Sequence, residues 1–142
     1  MEWADGLYAV QGGVRMSGAL MVREVVLGVL EVDASVVSVH RISRNLEEAL
    51  GIYPRRGNRA RVGAVGGEGL RGFGSFAATM LLRWGRDGVR AEEKAFEIYQ
   101  KLSELKFDGG FVVAVNDAPV WLGADSRGVF EYVFDFDFYF NK

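Results

Sequence analysis

Three stretches of this 142-residue sequence carry residue types and spacings from which chemistry is commonly built. Asp135 and Asp137, in "DFD", have the acid-x-acid form with which sugar transferases hold a divalent cation. In a strand both carboxylates leave on the same side, so a hard ion fits the geometry, although no nucleotide-binding pattern surrounds them. The stretch "GEGLRG" (67–72) has the letters of the dinucleotide fingerprint GxGxxG. That fingerprint works when a strand precedes it and a helix follows, so that phosphate meets a helix N-terminus. Here a glycine-broken segment precedes and a strand pattern follows. His40 is the only histidine, with no partner identifiable for a triad or a metal site, and reads as a structural or surface residue. No catalytic constellation assembles from these residues. The chain is expected to be no enzyme and to use no metal or cofactor.

The remaining chemically distinctive residues are arginines. Arg55, Arg56, Arg59, Arg61 and Arg71 face a single acid, Glu68, within residues 55–72. Such a cluster suits phosphate contact or contact with an acidic protein surface. No aromatic is interleaved and the formal net charge is −2, so stacking on single strands is unsupported and direct contact with DNA is not expected. Protein contact is the expected role. Charge is also unevenly spread: residues 41–71 hold seven arginines against three acids, and residues 104–142 hold seven acids against three basic residues. Opposed charge at two ends suits head-to-tail contact between copies.

Composition bounds what must position these residues. A length of 142 residues, 49% hydrophobic, fits one domain with its own core and argues against disorder. The absence of cysteine excludes disulfides and thiolate metal sites. The start "MEWADGLYAVQGG" carries acids where a secretory signal carries Lys or Arg, and the longest apolar run, residues 18–32, is broken by Arg23 and Glu24. A soluble protein without a targeting peptide or membrane span is expected. Residues 1–16 are a candidate N-terminal arm.

Ser17 is placed to cap a helix in which Val22, Val25, Val26, Val29 and Leu30 form one stripe. "SVVSVHRI" (35–42) and "ALGIY" (49–53) read as strands, the second ended by Pro54. Residues 55–72 have no apolar periodicity, and seven of the 19 glycines fall between Gly57 and Gly74, so a long Arg/Gly-rich loop is expected. Strict alternation from Phe73 to Trp84 predicts a full-length strand. Asp87-Gly88 then opens a helix with the stripe Ala91, Ala95, Ile98, Tyr99, Leu102 and Leu105, to be stopped by Gly109-Gly110. "FVVAV", "PVWL" and a closing strand from Val129 to about Phe140 complete the chain. One crossover helix and otherwise hairpins predict an α+β domain: a mainly antiparallel sheet with a long central helix and an N-terminal helix on one face.

The closing strand poses a packing problem. Phe130, Tyr132, Phe134, Phe136, Phe138 and Phe140 fall on one face, and Val129, Glu131, Val133, Asp135, Asp137 and Tyr139 on the other. Burying the rings is worth on the order of 10 kcal/mol, comparable to a domain's whole net stability, so that face must be covered. Twelve residues span roughly 40 Å, about the full width of a compact chain of this size. On the acidic face the carboxylates of Asp135 and Asp137 repel each other and need solvent or a cation. Two readings stand: a solvated sheet face, or a face that meets arginines of another subunit.

Taken together, "ALGIYPRRGNR", "GFGSFAATMLLRWGRD", "AEEKAFEIYQKL" and "APVWLGADSRGVFEYVFDFDFYFNK" resemble the minor capsid or tail-terminator proteins of long-tailed bacteriophages. In that family a Gly-Ile-Tyr strand precedes a loop, and a strand ending in a Trp-containing polar stretch leads into a helix. A G-x-[DS]-x-x-G-[IV]-[FY]-E-Y element, here Gly123 to Tyr132, then enters a final aromatic strand. The likeness covers roughly residues 46–142; the region before Leu46 departs from it, and the loop is unusually rich in Arg and Gly. The resemblance implies a virion structural protein of the tail–neck region. Such a subunit forms a hexameric ring that ends tail-tube polymerisation and meets the head connector, after assembly in the host cytoplasm. Its partners are then copies of itself, the tail-tube protein and the connector or stopper protein. Arg55, Arg56, Arg59, Arg61 and Arg71 are the expected partner contacts, with Glu131, Asp135, Asp137 and Tyr139 as the candidate subunit interface. The alternatives are another neck or head-completion protein, or a small nucleotide- or metal-binding protein.

Overall fold

The helical and strand periodicities resolve into a two-layer α+β structure, seen in a computed structural model. It describes residues 2–4, 8–11, 14–55, 61–65 and 71–141, with side chains over 18–55 and 74–140. β1 (Glu2–Ala4), β2 (Tyr8–Gln11) and β3 (Val14–Ser17) form a small antiparallel sheet of their own. The candidate arm is therefore paired backbone where it is described. α1 (Gly18–Val29), a 3-10 turn (Ala34–Val36), β4 (Val37–Val39), β5 (Glu48–Pro54), β6 (Arg61–Val65) and β7 (Arg71–Trp84) follow. Then come α2 (Gly88–Leu102), β8 (Lys106–Phe107), β9 (Gly110–Ala114), β10 (Val120–Ala124) and β11 (Phe130–Asn141). These last eight strands make one sheet in the order β4-β5-β7-β11-β9-β8, with β6 also on β7 and β10 also on β11. Every pairing is antiparallel except β4 with β5.

β7 and β11 are its spine, paired over eleven positions from Glu131↔Arg83 to Asn141↔Phe73. Their alternation sends Phe76, Ala78, Met80 and Leu82 to the same side as Phe134, Phe136 and Phe138, joined by Leu50 and Ile52 from β5 and Val112 from β9. Both helices cover that side. α1 contributes Val22 and Val26; its valines favour strand, but a continuous apolar stripe against the sheet outweighs a propensity cost of a few tenths of a kcal/mol per residue. α2 contributes Ala91, Ala95, Ile98 and Leu102, a stripe at steps of four, three and four. The fully buried rings of Phe134, Phe136 and Phe138 contribute about 5–9 kcal/mol, enough to decide which side of the sheet is the core.

α2 begins where the sequence places it: the Asp87 carboxylate accepts from the backbone N–H groups of Val89 and Arg90. It ends seven residues before Gly109, however. Ser103 leaves the helical region and Glu104 takes a left-handed φ of 61°, so Gly109-Gly110 serves the β8–β9 turn instead. Three further expectations are corrected. Residues 61–65 and 71–75 pair as the β6–β7 hairpin, so the Arg/Gly-rich stretch is not a continuous loop. The 35–42 stretch forms a 3-10 turn before a three-residue strand, because Asp33 caps Ser35 and Arg23 bonds the carbonyls of Ala34 and Val37. No hairpin joins β9 and β10. Both run antiparallel to β11 and follow one another along its edge, separated by residues 115–119, where Asn116 Oδ1 accepts from the Asp135 N–H.

Candidate assembly interface

With both helices on one side, no second layer of helix or strand covers the opposite face of the large sheet among the described residues. β5 gives that face Ala49, Gly51 and Tyr53. β7 gives Ser75, Ala77, Thr79, Leu81 and Arg83, and β11 gives Glu131, Val133, Asp135, Asp137 and Tyr139. Cross-strand rows arrange its charges. One row reads Ala49, Arg83, Glu131 and Gly123; the next reads Gly51, Leu81, Val133 and Val120; the third reads Tyr53, Thr79 and Asp135.

Arg83 dominates the first row. Its side chain has no solvent exposure, and its guanidinium donates to Glu131 Oε2 at 2.7 Å and to Asp125 Oδ2 at 2.8 Å. Asp125 comes from the β10–β11 turn, where its other oxygen accepts from the N–H groups of Arg127 and Val129 at 2.8 and 3.0 Å. Those contacts, the Val129 N–H foremost and then Arg83, hold the Asp125 carboxyl down to about 2. Burial alone depresses the Arg83 guanidinium, but its bonds to Asp125 and Glu131 outweigh that and leave it above its ordinary value. Arg44 adds a second cation on Glu131 Oε2 at 2.9 Å, and the Arg127 guanidinium in turn donates to the Arg44 carbonyl. The network ties residues 41–47 and 124–129 over one end of the face. It was not singled out from the sequence because both carboxylates that hold Arg83 lie more than forty residues further on. The available signal was Arg83 lying in phase with Ser75, Ala77, Thr79 and Leu81, and therefore on a sheet face.

At the other end, Arg55 donates to Asp137 Oδ1 within the same chain. Thr79 Oγ1 donates to Asp135 Oδ1 at 2.6 Å, and Tyr139 stacks on Phe111 with centroids 5.0 Å apart. These contacts give the acids partners within the chain, where the sequence left open a solvated face or arginines of another subunit. Asp137 and Glu131 have arginine partners inside the chain, and Asp135 has a hydroxyl. Arg56 and Arg59 lie outside the described residues; Arg61 and Arg71 stand in β6 and β7, described as backbone only. "GEGLRG" lies outside them up to Leu70. His40 is exposed, just beyond β4, with a left-handed φ of 65°.

Exposed apolar side chains lie elsewhere, on α2 at Val89 and Phe96 and, as a run, along β9 and β10. Val113, Val115, Val120, Trp121 and Leu122 are all exposed, Trp121 by 60% and Leu122 by 56%. Among the described residues β10 pairs only with β11, so its outer edge is an unpaired strand edge carrying apolar side chains. Unpaired strand edges and exposed apolar patches are features that proteins commonly blunt with charge or cover. By contrast, Arg23 from α1 bonds the carbonyl of Val37 in β4, at the far side of the sheet. Searches against protein-family models, curated proteins and solved structures find no match to the chain. Among the described residues no helix is long and apolar enough to cross a membrane.

Proposed function

We propose that the chain is a structural protein of a bacteriophage tail–neck, a ring-forming tail terminator that ends tail-tube growth and joins the tail to the head connector. The observation that carries the reading is the β10 edge. A strand paired to the spine of the sheet leaves Val120, Trp121 and Leu122 exposed, with no partner strand beyond it among the described residues. The sequence resemblance over residues 46–142 supplies the setting. In this mechanism subunits meet edge to edge and the closed ring covers the last ring of tube protein, so no further subunit adds. The work is geometric, and no residue is assigned a catalytic role.

The test is to add the purified chain to a polymerising tail-tube protein and measure tube lengths by electron microscopy. Shortened tubes bearing an extra terminal ring are expected, with Trp121→Asp abolishing the effect while the variant keeps its melting temperature. Unchanged tube lengths at stoichiometric excess would overturn the proposal.

A further inference from the structure

Beside the β10 edge, the first turns of α2 and the start of β11 enclose a groove of about 560 Å³. Its walls include Val89, Phe96, Trp121, Phe130 and Tyr132, and its charged lining residues are Asp87 and Glu92. Phe130 lies against Gly88, where an added Cβ would come within 3.0 Å of the ring, and Trp121 stacks over Phe130 at 6.4 Å and 22°. Asp87 is occupied as the cap of α2, offsetting the positive helix end. Glu92 is left as an exposed carboxylate in a groove lined by four aromatic rings. A planar guanidinium suits that combination, since it stacks on an aromatic face while its charge meets a carboxylate.

We propose that this groove takes an arginine of the β6–β7 hairpin of a second copy of the chain, joining copies head to tail. Residues 55–72 are the densest positive stretch, five arginines to one acid, and Val62, Val65 and Leu70 within them match the apolar walls. The described hairpin arginines of the same molecule, Arg61 and Arg71, are out of reach: Arg61 pairs with Ser75, seven residues of extended strand, about 23 Å, before Leu82. Arg71 precedes Leu82, the β7 partner of Tyr132 beside the groove, by eleven residues of extended strand, about 36 Å. A contact between opposite ends of two copies is heterologous and closes into a ring when the rotation permits. The inference rests on the assembly reading above and supplies the contact that reading needs.

The test follows the Trp121 indole resonance of the full chain by NMR while a synthetic peptide of residues 54–72 is added to millimolar concentration. A saturable shift is expected, weakened at least tenfold when the five arginines of the peptide are glutamine, and weakened equally by Glu92→Lys in the chain. Absence of a saturable shift, or equal affinity for the glutamine peptide, overturns the proposal. Tube capping separates the two readings. A Glu92→Lys chain that still shortens tubes removes the groove contact and leaves the terminator standing. A chain that binds the peptide but never shortens tubes keeps the contact and removes the terminator.

Discussion

Replacing Arg83 by leucine removes the buried charged side chain at one end of the open face and leaves two carboxylates arranged around an absent cation. Removing one partner of a buried ion pair costs about 3–5 kcal/mol, because the other charge stays desolvated without compensation. Here the loss falls at the lower end, about 3 kcal/mol. Glu131 keeps Arg44, Asp125 keeps the N–H groups of Arg127 and Val129, and both carboxylates retain a little solvent contact. An unfolding entropy of about 2.1 cal/mol/K per residue gives about 0.3 kcal/mol/K for this chain, so the melting temperature falls by about 10 °C. Urea denaturation of wild type and variant, with the slopes compared, is the assay. Arg83→Lys keeps the charge but loses the fork that reaches both acids, and should lose about half as much. In a cycle with Glu131→Leu the two single costs should not add, since the second change removes a charge that the first left unpaired. A leucine variant within about 1 kcal/mol of wild type would refute the reasoning and make the network a neutral substitute for apolar packing.

Acid unfolding should expose the Asp125 contribution. With its carboxyl held at about 2 against an ordinary 3.8, the unfolded chain binds more protons between those values, so stability is full above about pH 4 and is lost as pH falls towards 2. Asp125→Asn should flatten stability against pH in that window, as read from melting temperatures at closely spaced pH; an unchanged slope would contradict the assignment. Gly110→Ala should cost about 3 kcal/mol in a denaturant titration. A Cβ there would lie 2.0 Å from the Tyr139 carbonyl oxygen and 2.6 Å from the Phe107 ring, and the backbone cannot yield without breaking the β9–β11 ladder. A cost below about 1 kcal/mol would mean that β9 sits further from β11 than described. Asp137→Asn and Arg55→Gln, measured singly and together, should show a coupling of about 0.5–1 kcal/mol, modest because both side chains are about a quarter exposed. Zero coupling in the isolated chain would return Asp137 to the pool of residues free to meet another subunit.

What was legible in the sequence is what short-range periodicity controls. Alternation over residues 73–84 and 129–140 located both spine strands to within two residues and sorted their rings from their acids, because one face of each is dry. The Asp87 cap and the alanine-bearing stripe located α2 in the same way. What failed depended on tertiary neighbours. Nothing local tells "FVVAV" and "PVWL" that they share one side of β11, where Asn116 between them reaches the Asp135 amide. Nor does "LLRWG" reveal that Arg83 is dry, because both carboxylates that allow its burial arrive more than forty residues later.

The same distinction bears on assembly. Opposed charge along the chain suggested that Asp137 would meet arginines of another subunit, yet antiparallel pairing of β7 with β5 and β11 brings Arg55 to it within one chain. Complementary charges far apart in sequence are therefore weak evidence for intermolecular contact wherever a long strand joins their neighbourhoods. Complementary groups held at opposite ends of such a strand are stronger evidence, because the strand that positions them also keeps them apart. Glu92 with the rings around it, and the arginines of the β6–β7 hairpin, stand in the second relation, which is why assembly is sought there and not on the acidic face of β11.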